Sequence, residues 1–176
     1  DYAKIQWAVD NATAGDTIIV RDGVYTENIK VNKSLTIKSE NGSANCIVQA
    51  AEYDAVFHVT ADNVNISGFT IRGGYCGISL DHAENCYIAN NNVSGSGSGI
   101  CLYDSSNNNV SGNDVSENRH NGICLYDSSN NNVVSGNNVS ENWNDGIRLW
   151  YSSNNNVVSG NNVSENWNDG IRLWYS

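Results

Sequence analysis

Aromatic residues recur at Tyr103, Tyr126, Trp150 and Trp174, and each stands two positions after one of Cys101, Cys124, Arg148 and Arg172. Ser79 and Asp81 begin the same two series. If these are alternate positions of stacked strands, they form two neighbouring columns on one outer face. Rings beside guanidinium groups suit a platform for sugars or acidic glycans: ring faces pack on C–H surfaces and Arg forks grip carboxylates. The same rings would also stabilise adjacent strands simply by packing against each other. Trp143 and Trp167 fall in turns, where exposed indoles favour the binding reading.

Other groups offer less. Glu117, Glu141 and Glu165 form one turn series, Asp145 and Asp169 another, and Asp104 and Asp127 a third. Glycoside hydrolysis needs two carboxylates with separated environments, but stacked repeats bring like residues within about 5 Å in any case. These acids are therefore read as solvated turn residues, and calcium binding lacks its G-G-x-G-x-D run. His58, His82 and His120 lie far apart in sequence. Cys101 and Cys124 would be stacked neighbours, with Cys76 and Cys86 nearby in sequence, so soft-metal binding is open alongside free thiols or a disulfide. The sequons begin at Asn11, Asn32, Asn41, Asn65, Asn92, Asn109, Asn138 and Asn162. Most follow automatically from a repeated Asn-Val-Ser.

What positions these residues is a repeat. Gly-Ile-x-Leu begins at Gly77, Gly99, Gly122, Gly146 and Gly170, at spacings of 22, 23, 24 and 24 residues. Ile66, Ile88, Val110, Val134 and Val158 keep step with it, as do Ile71, Val93, Val115, Val139 and Val163. Residues Ser128 to Tyr151 are copied without change from Ser152 to Tyr175. Asn85, Asn107, Asn130 and Asn154 follow each Leu by five residues and are expected to form a structural ladder of stacked amides. The apolar residues are mainly β-branched and lack helical period, which favours a β-helix coil over a leucine-rich repeat.

Composition agrees once the repeat is seen. Leu, Ile, Val and Phe make up only about a fifth of the 176 residues, Pro is absent, and Asn, Ser and Gly abound. Alone, this suggests disorder. Within coils, each repeat buries its few apolar residues against its neighbours. The formal charge of −10 argues against nucleic-acid binding. No apolar run reaches the length of a membrane span.

The N-terminal third is less regular. Residues 17–20, 28–31, 35–38, 46–49 and 56–59 read as strands, and Gly15-Asp16, Asp22-Gly23 and Asn41-Gly42 as turns. Before them Tyr2, Ile5, Ala8, Val9 and Ala12 share one helical face, which would cover the first coil. The expectation is one domain over 1–176: a cap over 1–14, irregular coils over 15–64 and regular repeats over 65–176. Further repeats or a cap are expected beyond the last coil, so the chain is read as a fragment of a longer protein.

The pattern Ala14-Gly15-Asp16-Thr17-Ile18-Ile19-Val20, then Gly23-Val24-Tyr25-Thr26-Glu27, Lys33-Ser34-Leu35-Thr36-Ile37 and the Gly-Ile-x-Leu repeats resembles the NosD-type family. Its repeats are shared with carbohydrate-binding proteins and sugar hydrolases, and the likeness is strongest to repetitive archaeal cell-surface proteins. The resemblance implies an all-β, right-handed, single-stranded parallel β-helix of about six to seven coils. It implies an extracellular or cell-surface module, non-catalytic, acting as scaffold or binding polysaccharide or cell-surface glycan. A polysaccharide lyase, hydrolase or epimerase, and a copper-handling accessory protein, are the alternatives. The family's copper-binding label finds no motif here, and no catalytic residue, metal ligand or cofactor is assigned.

Overall fold

A computed structural model describes residues 2–151 and 153–175. The chain winds into a right-handed parallel β-helix of seven coils, each giving one strand to each of three seven-stranded sheets. The first sheet runs from Thr17–Val20 to Val157–Ser159, the second from Gly23–Thr26 to Asn162–Ser164, and the third from Ile29–Val31 to Ile171–Trp174. Every pairing is parallel and in register. β-branched residues alternating with Asn and Ser favour this arrangement, because each strand has one buried face.

Inside the coils the apolar series become columns. Ile37, Ile66, Ile88, Val110 and Val134 line the first sheet, and Val48, Ile71, Val93, Val115 and Val139 the second, all fully buried. Ile78, Ile100, Ile123 and Ile147 stand beside Leu80, Leu102, Leu125 and Leu149 in the third. Gly122 shows why Gly precedes each Ile: an added Cβ would lie 2.4 Å from Val139 Cγ1 and 2.7 Å from the Gly146 carbonyl.

Three ladders of buried asparagines turn the corners. Asn91, Asn113 and Asn137 join the first sheet to the second, Asn118 and Asn142 the second to the third, and Asn108 and Asn132 the third back to the first. Each amide oxygen accepts the backbone N–H one coil below, as Asn137 does from Asn113 at 2.9 Å. Each amide nitrogen donates to a carbonyl of the preceding coil, as Asn113 does to Ile88 at 2.9 Å.

The expected ladder at Asn85, Asn107, Asn130 and Asn154 is displaced from these positions. Asn85 and Asn107 are exposed turn residues with φ of 55° and 60°. Asn130 and Asn154 lie two residues before Asn132 and Asn156; Asn130 Oδ1 accepts Asn154 N–H at 2.6 Å, outside the core. Later coils carry one more residue in this corner, with positive φ at both Asp127 and Ser128. Counting five residues from Leu therefore falls one position short of the ladder in the earlier coils and two short in the later ones.

The helix Ile5–Asn11 covers the first coil with Ile5 and Val9 buried, while Tyr2 stays outside it and exposed. Its N-terminus is held by the Glu27 carboxylate, which accepts the Ile5 and Gln6 N–H groups at 3.0 Å each. Gly23, expected in an Asp22-Gly23 turn, instead begins the strand Gly23–Thr26, which no expectation covered and which pairs with Cys46–Gln49.

Candidate functional site on the third sheet

The outer face of the third sheet gathers most of the residues singled out by type. Tyr103, Tyr126, Trp150 and Trp174 form one continuous spine. Tyr103 and Tyr126 stack with ring centroids 5.2 Å apart and 14° between planes. Trp150 follows at 5.8 Å from Tyr126, and Trp174 at 6.3 Å from Trp150, both tilted. Near-parallel rings this close overlap face on face along the coil axis, so the two tyrosines turn their edges outward. Trp150 also stacks on Tyr151 at 4.9 Å, and Arg148 Cζ lies 3.8 Å from its ring centre. Arg172 repeats this over Trp174 at 4.6 Å. The faces of Tyr103, Tyr126 and Trp150 are thus largely engaged within the protein.

The position between Ile and Leu was expected to face outward into solvent. It does leave the inner core, yet Cys101 and Cys124 are fully buried and Ser79 nearly so. Ala55, Cys76 and the rings of Tyr103 and Tyr126 close over them, making a second small apolar cluster outside the coil. Asn121 bridges this cover by donating its amide to the Tyr126 hydroxyl at 3.1 Å. Burial pushes the phenols of Tyr103 and Tyr126 and the thiol of Cys101 well above their ordinary range. Cys86 lies apart in a corner, its Sγ donating to the Ala61 carbonyl at 3.5 Å.

Asp145, expected as a solvated acid, is completely buried. Arg148 Nε lies 3.7 Å from its Oδ2 and Arg172 Nη1 4.0 Å from its Oδ1, while Oδ1 accepts the Asp169 N–H at 3.2 Å. The corner before the third sheet arches over the face it precedes, which sequence alternation does not reveal. Glu117, Glu141, Glu165, Asp104, Asp127 and Asp169 are exposed, as expected.

At the other end of the face, the repeat is broken by charge. His82 Nδ1 lies 2.7 Å from Asp81 Oδ1, and its Nε2 3.3 Å from Asp104 Oδ2. His58 Nε2 approaches Asp81 Oδ2 at 3.5 Å. Asp81 is the cross-strand partner of Tyr103, so this row continues the aromatic spine. His120 is exposed in a separate corner. Trp143 and Trp167 project from the second-to-third-sheet corner of consecutive coils, 71% and 87% exposed.

The pattern of the family described as "Periplasmic copper-binding protein (NosD)" matches residues 9–176. A cell surface glycoprotein of Methanothermus fervidus is 47% identical over 95 residues, covering 52% of this chain and 16% of that relative. The fold is similar to that of pectate lyase Pel9A (TM-score 0.76, 18% identity, 91% of this chain and 49% of that one). It is also similar to an alginate lyase from Paenibacillus (TM-score 0.69, 20% identity, 89% and 72%) and to the periplasmic alginate epimerase AlgG (0.69, 21%, 91% and 42%).

The described residues do not fit a copper centre. No group of three or more His, Cys, Asp or Glu side chains among them converges on a common point. The softest donors, Cys76, Cys101 and Cys124, touch one another, the Cys101 sulfur lying 2.7 and 3.2 Å from the other two. Thiolates around one ion each stand about 2.3 Å from it and well apart from one another. Both ring nitrogens of His82 are turned to carboxylates.

Proposed function

The chain belongs to the NosD family, and on that premise we propose that it is a rigid β-helical module of an extracellular or cell-surface protein, binding glycans without transforming them. The relative from Methanothermus is a cell surface glycoprotein by description, which supports the location. Among the described residues no helix is long and apolar enough to cross a membrane.

One observation carries the binding reading. Trp143 and Trp167 hold two indoles in solvent at the same corner of consecutive coils, whose strands are about 4.8 Å apart, and the strand that follows the second of these corners carries Arg172 and Trp174. Tyr103, Tyr126, Trp150 and Arg148 pack against one another along the third sheet, and Trp174 with Arg172 offers the part of that spine that sugars reach. Stacking on the indoles and charge pairing with Arg172 would favour an acidic glycan. The fold's likeness to proteins named for alginate and pectate is compatible with such a ligand. A glycan array tests the proposal: binding should fall at least tenfold in a Trp143→Ala/Trp167→Ala variant whose melting curve is unchanged. If the unaltered protein binds no glycan on the array, the module is a scaffold alone.

A second reading is favoured by the row His58, Asp81, His82 and Asp104. An imidazole between two carboxylates at the end of a sugar-binding face is equipped for proton transfer. Incubation with alginate or pectate, followed by ultraviolet absorbance for unsaturated products, tests it. Turnover abolished by His82→Ala would favour an enzyme, whereas absent turnover on acidic polysaccharides removes this reading.

A further inference from the structure

The three touching sulfurs of Cys76, Cys101 and Cys124 are well placed for a chemistry other than metal binding. Cys101 and Cys124 are cross-strand partners in consecutive coils, and their sulfurs lie 3.2 Å apart. Cys76 reaches the same place from the start of the strand one coil earlier, with its sulfur 2.7 Å from that of Cys101. All three are buried free thiols, and Tyr103 and Tyr126 pack over them. For the in-register pair Cys101 and Cys124, Cα atoms of neighbouring strands are about 4.8 Å apart, within the roughly 4.4–6.8 Å that disulfides span. Cys76 is registered with Ser98, so its link to Cys101 rests on the approach of the sulfurs alone.

We propose that Cys76, Cys101 and Cys124 form a cross-linking site in which Cys101 is the shared partner of one disulfide that either neighbour can complete. The oxidant is a small-molecule disulfide. Its sulfur is attacked by the Cys101 thiolate, which forms a mixed disulfide and releases one thiol. Cys76 then displaces the second thiol, so one external disulfide is reduced to two thiols as the Cys76–Cys101 bond forms. Cys124 can in turn attack the Cys101 sulfur. That step breaks the Cys76–Cys101 bond, makes the Cys101–Cys124 bond and passes a proton from Cys124 to Cys76, with no net oxidation. Contact of the central sulfur with both of its neighbours is what lets this exchange take place.

Burial holds the Cys101 thiol protonated, so reaction proceeds when the overlying corner opens or before the coils close. The product ties the third coil to the fourth, or the fourth to the fifth, directly beneath the tyrosine spine. Cys46 and Cys86 lie elsewhere in the coil and take no part.

The test is oxidation of the reduced, full chain with oxidised glutathione, followed by unfolding, thiol counting and peptide mapping by mass spectrometry. The protein should lose two of its five titratable thiols and become lighter by two hydrogens, with Cys101 in every linked peptide. Cys76→Ser should redirect the link to Cys101–Cys124, Cys124→Ser should leave Cys76–Cys101, and Cys101→Ser should abolish it. Five free thiols after oxidation of the unaltered protein would overturn the proposal. So would a link that includes Cys46 or Cys86, or one that persists in Cys101→Ser. Because Ser is close in size to Cys, each variant's melting curve separates loss of the link from loss of the fold.

Discussion

Single side chains in this protein are judged by what they leave unpaired. Asn113 accepts the Asn91 N–H at 3.0 Å and donates to the Ile88 carbonyl, all out of contact with water. Asn113→Ala should therefore cost about 2–4 kcal/mol, read as a lowered urea midpoint, because buried polar groups lose their partners. Asn107→Gly should change stability by less than about 0.5 kcal/mol, since that residue needs only its left-handed backbone. Arg148→Ala takes the nearer of two guanidinium groups from the buried Asp145 carboxylate and should cost about 3 kcal/mol; adding Asp145→Asn should restore most of it, as a double-mutant cycle would show. Burial raises the thiols of Cys46 and Cys86 from 9.0 to about 11. Between these values the unfolded chain loses protons that the folded chain keeps. Stability should thus be level below pH 9 and fall towards pH 11, less steeply in Cys86→Ala, in urea titrations at stepped pH. The sequence identified Asn, Asp and Cys as columns, but the length of each corner after Leu and the path of the corner before the third sheet decided which of them are buried. Neither is encoded in side-chain alternation.

Strands and their connections follow more directly from local pattern. The Gly-Ile-x-Leu segments read as strands because both apolar residues fall on one face, and the third sheet confirms it. Gly23–Thr26 was hidden because Asp22-Gly23 carries a turn signal, while Gly23, at a φ of 155° that glycine tolerates and L side chains rarely adopt, begins a strand. The Glu27 cap was equally hidden, as its partners Ile5 and Gln6 are more than twenty residues away. Glu27→Ala should cost about 1–2 kcal/mol and speed hydrogen exchange at Ile5 and Gln6, which lose their acceptor. Gly122→Ala should be far worse: a Cβ there meets a backbone carbonyl as well as Val139, and neither coil can move without disturbing the next. A loss of folded protein, or a drop of more than about 3 kcal/mol, is expected in denaturant titration.

At the scale of the whole molecule, the repeat made the architecture legible and left the surface chemistry obscure. Periodicity specifies which positions stack, and stacking builds the core; it does not specify what a corner loop covers. One feature of that architecture bears on mechanics. The backbone hydrogen bonds of all three sheets, and the amide ladders at the corners, point along the axis, while the covalent chain runs around it. A tensile load along the axis therefore pulls on each inter-coil joint in turn, with no peptide bond running straight through to share it. Such a rod resists bending, because three sheets brace one another. Under traction it should peel open one coil at a time from the loaded end, giving a regular series of small yielding steps rather than a single rupture.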